Sequence, residues 1–313
     1  MKRSILKLSA LALCASIIFT SCKKDKDVVT PPPAEDNSAV NHAGDEAAVN
    51  EESDQIADDG GGAMEAAGSN ARTGRQMMCG ADSVVVSSTS KFATIYYNNT
   101  PSCDGKRLRT GMVTVELSLQ TSWKTAGAVI TINTVGLRIM RKNDGKSFVI
   151  KGKHIVKNIS GGTLVDLDKG TITSLVNEIK AEGMSITFDN GAARSWEANR
   201  KRTITKNSDG VSVKVEGILG ANGLAATGIN KNGDAFTTTI NEALIANSCN
   251  IDDKKPKWNV LSGMKTHTIA GKTVIVTYGY SAAKVKVGSC DANTIKVNYE
   301  GPKGSTEGFY TYK

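Results

Sequence analysis

Several common routes to chemistry are missing from this chain of 313 residues. It has only three histidines, and it contains no Cys-x-x-Cys, His-Glu-x-x-His, Gly-x-Ser-x-Gly or glycine-rich phosphate loop. Metalloprotease, serine-hydrolase and nucleotide-hydrolysing readings therefore have no local support. Aromatic residues make up 5% of the chain. That is too few for the two aromatic girdles of an outer-membrane β-barrel. The apolar run Ile5–Thr20 falls short of the roughly 20 residues a helix needs to cross a bilayer.

That short run does fit a targeting segment. Lys2, Arg3 and Lys7 precede it, and Ser21 and Cys22 follow. A basic start, a short apolar stretch and small residues before a cut describe a secretory signal over residues 1–21. Phe19-Thr20-Ser21-Cys22 resembles the lipobox of bacterial lipoproteins, with Phe where Leu is usual. The resemblance implies that Cys22 becomes the mature N-terminus and carries covalent lipid, including palmitate-type acyl chains. Stable anchoring needs more than one acyl chain, which such a modification supplies. Lys23 departs from the Asp associated with inner-membrane retention, so the expected address is the outer membrane. Lys23-Lys24-Asp25-Lys26-Asp27 is similar to the signal that sends Bacteroidetes lipoproteins to the cell surface.

From residue 22 to 75 large apolar side chains are scarce. Three prolines stand together at 31–33, and Asp58-Asp59-Gly60-Gly61-Gly62 follows later. Such a composition is expected to form a disordered tether, because burial cannot offset chain entropy. Residues 23–75 hold 12 acids against 5 bases, whereas residues 76–313 carry a net +12 within a total of +8. An acidic leash on a basic body points to anionic partners such as lipopolysaccharide or an acidic glycan, with nucleic acid a weaker candidate. The bland alternative is that lysines keep a sheet protein soluble and guard its edges.

Residues 76–313 read as one all-β domain. In "GMVTVELSLQ", Val113, Val115, Leu117 and Leu119 alternate with polar residues, a strand with one wet face. Similar runs recur at "FATIYY", "AVITIN", "SITFDN", "VSVKVEG", "TVIVTYGY" and "TIKVNYEG". Asn143-Asp144-Gly145, Asp189-Asn190-Gly191, Asp209-Gly210 and Asn232-Gly233-Asp234 mark hairpin turns between them. The expected architecture is an antiparallel meander of about 15 strands, forming a sandwich or a long twisted sheet. Only Thr173–Ala181 admits a short helix.

Four cysteines remain in the body: Cys79, Cys103, Cys249 and Cys290. In an oxidising envelope these form disulfides, with three pairings open. Each pair of neighbours brackets a strand region and closes on Cys-Asp, which favours Cys79–Cys103 and Cys249–Cys290. The segments "CDGKRLRTGMVTVELS", "RSWEANRKRTIT" and "TVIVTYGYSAAKVKVGSCDANTIKVNYEG" resemble a recurrent family of all-β Bacteroidetes lipoproteins. In that family a final Tyr-Gly, Cys-Asp and last strand ending in Gly recur, although here the Tyr-Gly to Cys-Asp spacing is longer. The resemblance implies a lipidated, all-β envelope protein and no particular activity.

Candidate contacts are few. Lys254, Lys255 and Lys257 crowd Trp258 after a proline-marked loop, a cation-plus-aromatic set able to stack on sugars and hold anions. In "RSWEANRKRT", alternation puts Trp196, Ala198, Arg200 and Arg202 on one face, where Trp196 is expected to be core. His42, His154 and His267 are far apart in sequence and read as ordinary surface residues, so neither metal nor cofactor is expected beyond the lipid on Cys22. The leading expectation is a non-enzymatic outer-membrane lipoprotein exposed at the cell surface, acting in binding, adhesion or envelope organisation. A glycan-active enzyme using Asp166, Asp168, Glu197 and Glu242 is the alternative. An accessory subunit of an outer-membrane complex is a further one.

Overall fold

Alternation of apolar and polar side chains forces strands here, because only a pleated chain puts every second residue on one face. The computed structural model describes residues 37–68, 78, 80–87, 91–102, 105–118, 120–207, 210–249, 257–302 and 304–311. It contains β1 (Ser83–Val86), β2 (Phe92–Pro101), β3 (Arg107–Leu117), β4 (Ala128–Arg141) and β5 (Ser147–Asn158). Then come β6 (Ser174–Phe188), β7 (Ala193–Asn207), β8 (Gly210–Gly217), β9 (Leu224–Ile229) and β10 (Ala235–Cys249). The last four are β11 (Lys257–Ile269), β12 (Lys272–Tyr280), β13 (Thr294–Gly301) and β14 (Gly304–Thr311). All belong to one 14-stranded antiparallel sheet. Neighbours in sequence are neighbours in space except at one lane. There β8 and β9 lie end to end between β7 and β10, each pairing with both. The all-β meander is thus present, as a single continuous sheet.

The turns fall where the glycine signals stand. Gly145, Gly191 and Gly233, each at positive φ, close the β4–β5, β6–β7 and β9–β10 hairpins. Two stretches of open conformation are now placed. Thr173–Ala181 is not helical: from Ser174 it is strand β6, with Leu175, Ile179 and Ala181 buried at period two. "LVDLD", which would have set Asp166 and Asp168 on one face if extended, is instead the short helix α2 (Leu164–Asp168). Thr163 caps it, accepting from the Asp166 N–H while its hydroxyl donates to Asp166 Oδ2 at 2.8 Å.

The largest departure lies ahead of the sheet. Asn37–Gly68, expected to be unstructured tether, is a 32-residue helix, α1. All seven residues from Glu51 to Ala57 are buried. At about 100° per residue, seven in a row cover the whole circumference, so the sheet curls around the helix. No apolar stripe explains this, since α1 carries eight acids, no lysine or arginine, and few large apolar residues. Its apolar contribution is Val49, Ile56, Ala57, Ala63 and Met64, which join the inward side chains of the strands in one core. The expected tether residues 22–36 and 69–75 lie outside the described residues.

Glycine lets the helix come close. A Cβ on Gly60 would collide with Ile132 Cδ1, and one on Gly61 would lie 3.4 Å from Trp123 Nε1. The Asp58–Gly62 run that reads as linker is therefore a packing surface. A second clamp joins the sheet's later strands. Cys249, ending β10, is bonded to Cys290 ahead of β13 across 41 residues and packs with Leu261 and Ala292. Closing such a loop contributes about 4 kcal/mol in the chain-entropy account. Cys22, Cys79 and Cys103 lie outside the described residues.

Gly60→Val separates the two pictures of this segment. In a free tether it is harmless, and in a free helix valine is favoured over glycine. Against Ile132 it is expected to destabilise by about 1–3 kcal/mol, read as a lowered urea midpoint with unchanged slope. An unchanged or raised midpoint would contradict the packing described.

Candidate functional site

The chemistry of the fold is concentrated between α1 and the inner face of the sheet. Strand alternation puts Arg107 and Arg109 of β3 inside, together with Arg194, Arg200 and Arg202 of β7, and Lys265 and His267 of β11. Each of the five arginines meets a carboxylate of α1. Arg107 contacts Glu51 and Glu52, and Arg109 reaches Glu52 at 2.9 Å and Asp59 at 3.1 Å. Arg200 pairs with Asp54 at 2.9 Å, Arg202 with Asp58, and Arg194 approaches Glu46 at 3.7 Å. Tyr97 donates to Asp59 at 2.6 Å, and Gln55 to the other oxygen of the same carboxylate at 3.0 Å. The acidic segment and the basic body, opposite in charge along the chain, neutralise each other inside the molecule.

Burial and pairing pull these groups in opposite directions. Glu52 is pushed up by burial, but Arg109 and Arg107 outweigh that and hold it below the usual carboxylate range. Asp58 and Asp59 are carried the other way by burial, up to about 6 in spite of Arg202 and Arg109. Burial forces Tyr97 well above its ordinary value, with the neighbouring Asp59 adding to it. His154, fully enclosed and hydrogen-bonded to Ser53 Oγ at 2.7 Å, is lowered to about 3 by burial and by Arg200.

A second cluster sits toward the N-terminal end of α1. His42 and Glu46, one turn apart, face His267, and all three are buried. His42 Nε2 lies 3.3 Å and His267 Nδ1 3.5 Å from Glu46 Oε2. Thr238 donates to that oxygen at 2.5 Å and lies 3.1 Å from His267 Nδ1. Burial drives Glu46 upward, but the neighbouring His267, His42 and Arg194 together leave it well below the ordinary range. His42 is lowered by burial, more than Glu46 raises it. The reading of the three histidines as surface residues is therefore corrected: the helix fills the interior, and the strands turn His154 and His267 toward it.

The other candidates are placed plainly. Trp196 is core, as expected, and shares the inner face with Ala198, Arg200 and Arg202. Trp258 is half-buried against the core and stands opposite Ser248, beside Cys249, near the start of β11. Lys257 is the first residue of that strand, and Lys254 and Lys255 lie outside the described residues. The four acids of the glycan-active alternative do not share the inner face. Asp166 bonds to Thr163, Asp168 pairs with Lys206 at 2.9 Å, and Glu197 and Glu242 are exposed on the outside of β7 and β10. The chain matches no known family model, no curated protein and no solved structure.

The shift at His154 has a measurable sign. Its folded value lies below the unfolded 6.5, so the stability it contributes is present above 6.5 and is lost as pH falls toward 3. Asp58 and Asp59 act oppositely, with raised values whose contribution is full at low pH and lost as pH rises through about 6. Comparison with His154→Gln isolates the histidine. Acidification from pH 7 to 5 should cost the wild type about 2 kcal/mol relative to the variant, read from urea midpoints. A gap independent of pH would contradict the assignment.

Proposed function

We propose that this chain is a surface-exposed outer-membrane lipoprotein, anchored through lipid on Cys22, whose β body is a non-enzymatic binding, adhesion or envelope-organising module. The observation that carries this reading is that the interior, where a curled sheet would otherwise hold a small ligand, is filled by the chain's own helix. The cavities described there are small, about 20 Å³ and about 10 Å³. A substrate-sized cleft normally measures several hundred Å³. Contact with a partner therefore falls to the outer face and the rim.

That outer face carries a moderate lysine excess. Lys151 and Lys157 project outward and exposed from β5, and Lys153 of the same face is tied to Glu182 at 2.9 Å. Lys180 also reaches Glu182, at 2.6 Å, and Lys214 reaches Glu216 at 2.8 Å. With five arginines turned inward, what remains for an anionic glycan or lipopolysaccharide is this lysine pattern. It predicts a contact governed by salt more than by shape. The exposed positions of Glu197 and Glu242 favour binding over glycan cleavage.

The full-length lipoprotein in neutral detergent is expected to be retained on immobilised heparin at low ionic strength and to elute as salt rises. A Lys151→Glu/Lys157→Glu variant should elute earlier, and protease added to intact cells should digest the body. Passage through heparin without retention would remove the polyanion reading. Protection on intact cells would remove the surface placement.

A further inference from the structure

We propose that His42, Glu46 and His267 bind a single divalent transition-metal ion of the zinc class, and that this ion fastens the N-terminal part of α1 to β11. The three ligand atoms lie within 4.8 Å of one another. Tetrahedral zinc holds nitrogen and oxygen at about 2.0–2.1 Å, which places neighbouring ligand atoms about 3.3 Å apart. The two distances to Glu46 Oε2, 3.3 and 3.5 Å, lie close to that edge length.

The surroundings of the donors are also suitable. His42 is buried at 3% exposure, and its Nε2 makes no hydrogen bond although a carboxylate oxygen stands beside it. A buried ring nitrogen facing a carboxylate without a bond to it has lone-pair or N–H capacity to spare, and buried polar atoms are rarely left so. Thr238 fixes the Glu46 oxygen by donating to it at 2.5 Å, the usual outer support of a metal ligand. Two imidazoles and one carboxylate suit Zn2+ and its neighbours better than Mg2+ or Ca2+, which take oxygen sets. A cavity of about 20 Å³ bordered by Ala43, Ala47, Lys265 and His267 has room for a water.

Lys265, buried at the same cavity, and Arg194 oppose a cation here. Arg194 Nη2 stands 3.7 Å from Glu46 Oε2, and its guanidinium stacks over Phe236 at 4.7 Å. At that distance it makes no hydrogen bond to Glu46, so an ion displaces none. Repulsion from the guanidinium lowers the affinity without blocking the ligand atoms.

The test uses full-length lipoprotein stripped with chelator and then titrated with Co2+ and Zn2+. One Co2+ per chain should bind and give the visible absorption of a four-coordinate ion. Zn2+ should displace it and raise the thermal midpoint. His42→Gln and His267→Gln should each weaken binding by at least about 100-fold, judged against the 10–100-fold typical of outer-shell losses. His154→Gln should bind like the wild type. Absence of a saturable Co2+ spectrum in the wild type overturns the proposal without reliance on any variant. Equal binding by folded His42→Gln and wild type overturns it as well.

Discussion

A buried arginine needs a carboxylate in the same interior, and this requirement organises the whole molecule. Arg107, Arg109, Arg194, Arg200 and Arg202 occupy inward register positions that in an ordinary sheet would be apolar. Left alone, each would carry a desolvation penalty of several kcal/mol that the hydrophobic burial around it could not offset. The acids of α1 meet that requirement. Removing one partner of such a buried pair typically costs about 3–5 kcal/mol, because the remaining charge is stranded. Replacing both by apolar groups can be neutral or better, so these pairs do more to define the arrangement than to raise its stability.

What they define is the position of the helix. A helix without an apolar stripe has no preferred face, and hydrophobic contact alone would leave α1 free to rotate or slide. Here Glu51, Glu52 and Asp59 meet β3, Ser53 meets β5, and Asp54 and Asp58 meet β7. These anchors point in different directions and admit one rotation and one register. Gly60 and Gly61 then permit the approach to Ile132 and Trp123 that side chains would prevent. Charge selects the pose, and small residues allow its closeness.

This division explains what could be read from the chain alone. Strands and hairpins were legible because period two and Asn-Gly or Asp-Gly turns are local signals, as at Val113–Leu117 and Asn143–Gly145. The Cys249–Cys290 bridge was legible from its position at strand ends. The helix was not, because its stabilising partners are distant in sequence, and a polar, glycine-bearing segment judged by its own composition reads as solvated. A signal was present, though divided. Arg200 and Arg202 share the buried register of Trp196, Ala198 and Ile204, while the Asn37–Gly68 stretch has acids, alanines and no lysine or arginine. Only the two patterns together require an acidic element inside a basic sheet. The His42–Glu46–His267 cluster was hidden for the same reason, since it exists only once the helix is in place.

The binding role proposed for this protein draws on that filled interior, which leaves the outer surface to meet partners. Everything rests on α1 being an integral part of the core. Hydrogen exchange of the full-length protein tests this most directly. Amides of α1 from Val49 to Asp59 should be as strongly protected as those of β4 and β7, and should open only with the sheet. Exchange of that segment at the rate of an unstructured peptide, while the strands stay protected, would contradict the account.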